Sequence, residues 1–530
     1  MTTSLAITPS MLSVMGWYCA SALITYIAAV AAYRILLHPL GKYPGPLAAK
    51  LTDAYSGFFA YRRRLHLATW ENQQKYGSVI RQGPNKLVFN SIRALKDIYR
   101  SDQMTKPKAY MAMGPDLSSY TVFTATDRHL HRARRQLIGQ VLTDRSMRAF
   151  EPTMIEQVDI YLQRLHADAR SSTPVNMTER SRQLGLNIAG LLGFGYDLRL
   201  QTEETNQFML TMLEAGTLWS SVFLQWPGAR NFRLGLVLVR IFREFRGRYL
   251  SIIEEMIRQR TAMAKDAKHD LYSFVADALD DKSVGGLRQS DLWAESNLFL
   301  TAAGDTTKTA LSGTLFYLSR NPDAYRKLSA EIRHTFQSGN DIRGSALAGC
   351  RYLRACIDES LRLASPASGT LWRELGADSN TESYIIDGHV VPRGTVVGVN
   401  IYSIHHNPEY FPDPFSFRPE RWLDDSAYSS EAKKAMADAF TPFLTGARGC
   451  AGKTMAYMEV GLVIAKTLWY FDFEPSTGPL GHIGGGNPAM GMGRYRPDEF
   501  QLYDVFTALH DGPYLTFRAR RGAPLRDLGV

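Results

Sequence analysis

The sequence predicts a mainly α fold with small β-sheets (α+β), in one large domain that follows a single membrane-spanning helix. Helical periodicity dominates residues 152–272 and 290–320, whereas the stretches 79–90 and 384–400 alternate like short strands. No internal repeat or low-complexity linker interrupts residues 50–520, so one domain is expected rather than several.

Charge and cysteine content restrict the classes of protein that fit this chain. It has 530 residues, a formal charge of +10 and four cysteines. The cysteines lack zinc-site spacing, and their sparse use fits a reducing, cytosol-facing protein without a disulfide framework. The positive charge favours an acidic protein partner or an anionic membrane surface, although basic residues scattered over solvated faces give the same total. No nucleic-acid partner is predicted.

The first apolar run predicts a membrane anchor over residues 1–37. No charged residue lies between Leu5 and Tyr33, and the run Met11–Ala32, about 22 residues at about 1.5 Å each, crosses a hydrocarbon core of about 30 Å. Arg34 follows the span, which predicts a single-pass protein with its main domain in the cytosol. A cleaved signal peptide is the alternative; it is disfavoured because the run is long and no basic segment precedes it.

Residues 38–49 predict a stiff, proline-rich hinge between the anchor and a domain at 50–530. Pro39, Pro44 and Pro46 prevent a helix from continuing through this segment.

The elements after the hinge follow in order. Residues 67–76 and 91–99 predict short helices on either side of two strands in the region 78–90. Residues 106–126 show no period, and an irregular segment of that length inside a compact domain is usually functional. Residues 127–142 predict a strongly basic helix.

A long helix is predicted from Ser290 to Arg320. Gly304 and three threonines near its middle are poor helix formers, and such a local conflict often marks function. A later helix places Glu359 and Arg362 three residues apart and therefore on one face.

The most informative stretch is Phe443–Gly452, in which Cys450 is surrounded by glycines and precedes a helical pattern. Unpaired N–H groups and the dipole at a helix start favour a thiolate. The glycines let the backbone approach a flat ligand, and Arg448 lies two residues from the sulfur, where it could pair with an acidic substituent.

These motifs together resemble the cytochrome P450 superfamily in its microsomal (class II), fungal form. The run Phe443–Gly452 matches the superfamily's Phe-x-x-Gly-x-Arg-x-Cys-x-Gly signature, and the other motifs occur in the family's order. The resemblance implies the cytochrome P450 fold and a haem b whose iron takes Cys450 as its axial thiolate ligand. A small buried hydrophobic residue is the alternative for a lone loop cysteine.

The resemblance also implies roles for residues elsewhere in the chain. The implied haem contacts, besides Cys450, are His131, Arg135, Arg373, Phe443 and Arg448. The implied proton donors are Asp305 and Thr306, and a buried structural triad joins Glu359, Arg362 and Arg421. The implied substrate contacts are Ala302, Ala303, Ala367 and Leu371. Ala303 replaces the family's glycine, which predicts a slightly narrower groove.

Several implied assignments have alternatives. His131 and Arg135 share one helix face, and a basic solvated face is the alternative to a propionate site. Arg132 and Arg134 are expected to face a reductase. Residues 218–227 are expected to roof the substrate channel, with core packing as the alternative, and residues 484–493 are expected to form its last wall.

The resemblance implies the partners and the reaction as well. No Gly-rich dinucleotide site is visible, so electrons are expected from NADPH through NADPH-cytochrome P450 reductase, with cytochrome b5 as a second donor, at the endoplasmic reticulum membrane. The expected reaction is hydroxylation or epoxidation of a lipophilic small molecule with O2, in fungal secondary metabolism. The alternatives are a desaturase or ring-forming oxidase, an oxygen-independent isomerase or dehydratase, and a non-catalytic haem-binding protein.

Overall fold

The computed structural model describes residues 9–114, 120–232, 243–276, 289–424 and 427–529. In these ranges the chain is mostly helical with small sheets, which confirms the predicted class.

The helices occupy most of the described chain. In order they are α1 (Pro9–Ala32), α2 (Leu47–Leu51), α3 (Ala54–Tyr61), α4 (Leu65–Tyr76), α5 (Ile92–Tyr99), α6 (Arg128–Val141), α7 (Asp144–Ser171), α8 (Met177–Phe194), α9 (Phe208–Gln225), α10 (Arg243–Thr261), α11 (Leu271–Val275), α12 (Gln289–Arg320), α13 (Pro322–Thr335), α14 (Gly344–Ala348), α15 (Arg351–Leu363), α16 (Ile401–His405), α17 (Ser430–Ala439) and α18 (Lys453–Tyr470).

The strands are short and form small separate sheets. They are β1 (Val79–Gly83), β2 (Lys86–Phe89), β3 (Met104–Thr105), β4 (Val175–Asn176), β5 (Glu374–Leu375), β6 (Ser383–Ile386), β7 (His389–Pro392), β8 (Val396–Val399), β9 (Phe471–Pro475), β10 (Tyr503–Val505), β11 (Thr507–Leu509) and β12 (Tyr514–Ala519). Strand β2 pairs antiparallel with β1 and parallel with β8, and β12 lies between β4 and β9. The pairs β3–β5, β6–β7 and β10–β11 are antiparallel ribbons.

Several predicted helix starts are visible as caps. Asp127 accepts a hydrogen bond from the Leu130 N–H at 2.7 Å at the start of α6. Ser91 does the same for the Ala94 N–H at 3.0 Å in α5. These side chains satisfy N–H groups that the first turn leaves free, so the short polar residues fix where each helix begins.

Helix α1 continues as one π-helical turn, Tyr33–Leu37. The stretch Ser13–Leu37 is long and apolar enough to span a membrane and is not buried against the rest of the chain. The following segment packs onto the domain, because Leu40 and Tyr43 lie in one apolar cluster with Leu87 and Phe89 of β2.

Helices α7, α8, α12 and α18 contribute most of the residues of the main core. Helices α8 and α12 approach closely where a Cβ on Gly304 would lie 2.4 Å from a methyl carbon of Leu186. Glycine in the middle of α12 therefore leaves room for the Leu186 side chain between the two helices, which gives a packing reason for one of the poor helix formers there.

Candidate active site

Cys450 lies in the loop that leads into α18. Its backbone N–H donates to the Phe443 carbonyl at 2.8 Å, which closes the loop on itself. Gly446 has a φ of +78°, and a Cβ there would lie 1.9 Å from the Tyr99 carbonyl oxygen. Only glycine fits this backbone and this contact, so the sequence spacing fixes the loop against α5.

The Cys450 side chain opens onto an internal cavity, although protein atoms surround the sulfur closely. Burial raises the pKa of the Cys450 thiol, whereas the Gly452 amide and the charges of Arg135 and Lys453 lower it. Burial outweighs the other effects. The Gly452 amide at the start of α18 does favour the thiolate, but it does not offset burial, and a metal cation bonded to the sulfur would be needed to hold it ionised.

The cavity has a volume of about 970 Å³ and extends from the Cys450 loop to α12 and α9. Besides Cys450, all of the residues that the sequence marked as cofactor or substrate contacts line it, together with Thr306, one of the two implied proton donors. They are His131, Ala302, Ala303, Thr306, Ala367, Leu371, Arg373, Phe443, Arg448 and Arg135. The fold thus brings together residues that are more than three hundred positions apart in the chain.

Six basic side chains line the cavity, Arg230 and a group of five that we call the basic cluster: Lys106, His131, Arg135, Arg373 and Arg448. No Asp or Glu occurs among the described lining residues. Burying several cations without a carboxylate is costly, so the cluster suits a ligand that brings its own acidic groups.

The basic cluster is held in place by backbone carbonyls. The Arg448 guanidinium donates to the Ala125 carbonyl at 2.6 Å, and Arg135 donates to the Gly449 carbonyl at 2.8 Å. Burial and neighbouring cations, Arg448 first, lower the pKa of His131 to about 3. His131 is therefore neutral at pH 7 in the ligand-free chain and presents one N–H donor.

Lys106 is a member of the cluster that the sequence did not reveal. Its Nζ donates to the Phe123 carbonyl at 2.6 Å and lies 3.5 Å from the centre of the Phe123 ring. Burial, then Arg373 and Arg448, lowers its pKa well below the usual value. Nothing local distinguishes this lysine from Lys108, because its role arises only when the loop folds over the cavity.

Helix α12 divides its functional residues between two faces. Ala302, Ala303 and Thr306 face the cavity, and the Thr306 hydroxyl donates to the Ala302 carbonyl at 2.6 Å. Asp305 is fully buried outside the cavity lining, 3.3 Å from Lys308 Nζ. The structure therefore brings Thr306 to the cavity and leaves Asp305 on the other side of the helix.

The polar contacts of Asp305 continue toward the surface. Its Oδ1 lies 3.7 Å from Arg182 Nε on α8, and Arg182 pairs with Glu214 at 2.7 Å. The Glu214 side chain is 39% exposed, so a path of charged groups joins Asp305 to solvent.

Glu459 on α18 is a second buried carboxyl that the sequence did not single out. Its Oε2 accepts a hydrogen bond from the Thr307 hydroxyl of α12 at 3.3 Å. Burial raises the pKa of Glu459 to about 8, and Thr307 opposes that shift. This carboxyl is therefore protonated over much of the neutral range.

Glu359, Arg362 and Arg421 form a fully buried ion cluster away from the cavity. Arg362 Nη2 and Arg421 Nε lie 2.8 Å and 3.0 Å from Glu359 Oε1. Trp422 Nε1 donates to the other carboxylate oxygen at 3.0 Å. Arg362 also binds the Pro414 carbonyl at 2.6 Å, so the cluster joins α15 to the segment before α17.

The walls of the cavity differ in part from the expectation. Trp219 and Phe223 of the predicted roof do line it. The last wall, however, is formed by Phe506 and Thr507 at the β10–β11 turn, and none of residues 484–493 contributes. Phe506 has a φ of +83°, an unusual value for a bulky residue that the sequence pattern does not signal.

The two arginines expected to face a reductase behave differently. Arg132 is exposed, whereas Arg134 is buried and pairs with Asp291 at 2.8 Å. Arg134 therefore cannot form part of an outer docking face, because the turn on which it lies packs against α12.

The comparisons of this chain with known proteins agree with this geometry. The family model described as Cytochrome P450 matches residues 44–483. The chain is 34% identical to cytochrome P450 monooxygenase AKT7 of Alternaria alternata, over 94% of this chain and 96% of that protein. It is 32% identical to cytochrome P450 monooxygenase apf7 of Gibberella fujikuroi, over 93% and 96%. Cytochrome P450 monooxygenase atnE of Emericella nidulans is also 32% identical, over 92% and 93%.

Proposed function

The chain belongs to the cytochrome P450 family as a fungal-type monooxygenase, and from this premise we propose that it oxidises a lipophilic small molecule by hydroxylation or epoxidation with O2. The observation that carries the proposal is the position of Cys450, whose sulfur faces a large cavity beside a carboxylate-free basic cluster. The other lining residues are mostly apolar, which suits a lipophilic substrate.

The described residues fit a haem b. Cys450 would supply the sulfur ligand of the iron, Gly449 and Gly452 line the cavity without side chains beside that sulfur, and the basic cluster would bind two propionates. When bound, the group supplies O2 activation, to which thiolate donation contributes by favouring O–O cleavage.

Two residues of the chain would then deliver protons to the site. Thr306 presents its hydroxyl at the cavity and would pass a proton from its Oγ to the reacting side. Asp305 would recharge it through water after turning away from Lys308. Asp305 would take up its proton from water on the side where the ion pair of Arg182 with the partly exposed Glu214 reaches the surface, since the arginine itself cannot pass a proton on.

The setting of the enzyme is proposed from the N-terminal helix. Residues 1–37 would anchor the protein in the endoplasmic reticulum membrane, 38–49 would form the hinge, and 50–530 would act in the cytosol. NADPH-cytochrome P450 reductase, aided by cytochrome b5, would supply electrons. The proposal includes a place in fungal secondary metabolism, for which the relatives supply the fungal source and the monooxygenase class.

The test is to express the full chain with a reductase in a fungal or yeast host and to profile small molecules against a Cys450→Ala control. Oxygenated products that require NADPH, O2 and Cys450 support the proposal. Products that form without O2, or equally with Cys450→Ala, contradict it. A desaturated product without added oxygen would instead support the oxidase alternative.

A further inference from the structure

One polar pair joins two helices in an otherwise apolar part of the cavity wall. The Tyr249 hydroxyl of α10 donates a hydrogen bond to Asn297 Oδ1 of α12, and both residues line the cavity. Ala294 and Leu298 lie next to Asn297 in the same wall. A side-chain amide in such surroundings is unusual unless it has a polar partner.

The hydrogen bond with Tyr249 fixes which end of the amide is free. Because the hydroxyl donates to Oδ1, both N–H donors of Nδ2 stay available, and no described residue accepts from them. Asparagine is also a poor choice for a helix interior. The Asn297 side chain therefore has a fixed orientation and an unused N–H donor, and it does not favour helix formation.

The neighbouring hydroxyl groups in this wall do not offer an unused hydrogen-bond donor. Thr301 and Thr306 donate to the carbonyls of Asn297 and Ala302, one turn earlier on their own helix. Such bonds occupy the hydroxyl hydrogen, so these threonines are weaker donors to a bound molecule than the Asn297 amide.

The charge around the pair selects the kind of acceptor. Burial, and then the Asp305 carboxylate, raises the pKa of Tyr249, so the hydroxyl is protonated at neutral pH. A bound anion at this point would be buried beside the apolar side chains of Ala294 and Leu298, which is costly without a paired cation. A neutral oxygen acceptor is therefore favoured over a carboxylate.

The position of Asn297 along α12 sets the distance between the polar group of a bound substrate and the carbon that reacts. Asn297 precedes Ala303 by six residues, or about 9 Å along the helix axis. A substrate held at Asn297 would therefore present an atom well separated from its polar group to the part of the cavity near Ala303 and Thr306.

We propose that Asn297, oriented by Tyr249, binds a neutral carbonyl oxygen of an otherwise lipophilic substrate and so decides which carbon lies beside Ala303 and Thr306. The inference rests on the proposed monooxygenase function and narrows its substrate class. Tyr249 acts here as a positioning residue, through the amide.

The test compares two probes with the haem-loaded full chain: a medium-chain methyl ketone, and the alkene of the same skeleton in which CH2 replaces the carbonyl oxygen. Dissociation constants come from absorbance titrations, and thermal stabilisation by each probe gives a second readout. The wild-type protein binds the ketone about 10-fold more tightly than the alkene, the value of one net hydrogen bond.

Three variants separate the contribution of the Asn297 amide from that of the rest of the cavity wall. Asn297→Leu brings the two constants to within about twofold of each other, and Tyr249→Phe leaves a preference of about threefold because the amide is no longer oriented. The control Ser296→Ala keeps the wild-type ratio, because that hydroxyl is buried and donates to the Leu292 carbonyl at 2.7 Å. If Asn297→Leu fails to retain haem, Asn297→Asp replaces it, since a carboxylate cannot donate.

Equal binding of both probes by the wild type, no binding of either, or an unchanged ratio in the Asn297 variant overturns the proposal. The ferrous carbonyl spectrum separates this failure from a failure of the proposed function. A sulfur-ligated spectrum with no ketone preference removes the substrate assignment alone, whereas a wild type without that spectrum removes both.

Discussion

Replacement of Glu359 by glutamine tests whether the buried ion cluster holds the domain together. Its two carboxylate oxygens accept bonds from Arg362 at 2.8 and 3.0 Å, from Arg421 at 3.0 Å and from Trp422 at 3.0 Å. Both arginine side chains are 0% exposed. Glutamine keeps the volume but leaves two buried guanidinium charges without a counterion, so we expect a loss of about 3–5 kcal/mol in the free energy of unfolding.

The assay is urea unfolding of the haem-loaded protein at neutral pH, followed by circular dichroism and by the haem absorbance. The matched control is Glu474→Gln, which removes an ion pair with Arg518 whose side chains are 53% and 71% exposed. That change should alter the free energy of unfolding by less than about 1 kcal/mol. Losses of equal size in the two variants would refute the reasoning.

The same carboxylate makes a pH prediction. Burial alone would raise the pKa of Glu359, but Arg362 and Arg421 hold it below the ordinary value of 4.5. Its stabilising contribution is therefore complete above pH 4.5 and is lost as the pH falls through the lower folded-state value. The wild type should lose stability in that acid range, and Glu359→Gln should lack this step.

The remaining predictions concern the site itself. Gly446→Ala should reduce haem retention and stability by more than Gly388→Ala. Both glycines have positive φ, but a Cβ added at Gly446 would meet another backbone atom, whereas a Cβ at Gly388 would face open space. Thermal unfolding of the two variants measures the difference. Thr306→Val should lower product formed per NADPH oxidised by about 100-fold, and Asp305→Asn should do the same, since each removes one proton carrier. Burial raises the pKa of Glu459 to about 8, so wild-type stability should fall by up to about 1.4 kcal/mol per pH unit as the pH rises from about 5 to 8, and Glu459→Gln should flatten that dependence.

Each of these predictions has a contradicting result. Equal losses of thermal stability in Gly446→Ala and Gly388→Ala would show that the positive φ, and not the contact with α5, determines the cost of the substitution. Unchanged coupling of NADPH to product in the Thr306 or Asp305 variant would remove that residue from proton delivery. A pH profile that Glu459→Gln leaves unaltered would place the titration elsewhere.

Local sequence patterns predicted the parts of the site that are local in the chain. The Cys450 loop depends on glycine positions within ten residues, and the cap at Asp127 depends on contacts within one turn. Helix spacing also places His131 and Arg135 on one helix face, whereas only the resemblance to the family implied which site that face meets. Features within one turn or one loop depend little on what packs around them, so they could be inferred from the sequence.

The features that depend on neighbouring elements could not be inferred in this way. The burial of Arg134 requires Asp291, more than 150 residues later, and the orientation of Asp305 requires Arg182 and Lys308. The cavity role of Lys106 depends on how a loop without periodicity folds. Likewise, the burial that raises the pKa of Cys450 reflects the whole surrounding structure rather than its helix start.

The central claim is that the Cys450 sulfur binds the iron of a haem in the cavity. Its most direct test is the absorbance spectrum of the purified, reduced protein under carbon monoxide. We predict the red-shifted Soret band of sulfur ligation in the wild type and its loss in Cys450→Ala. A wild-type protein that retains no haem, or whose carbonyl complex lacks that band, would contradict the claim.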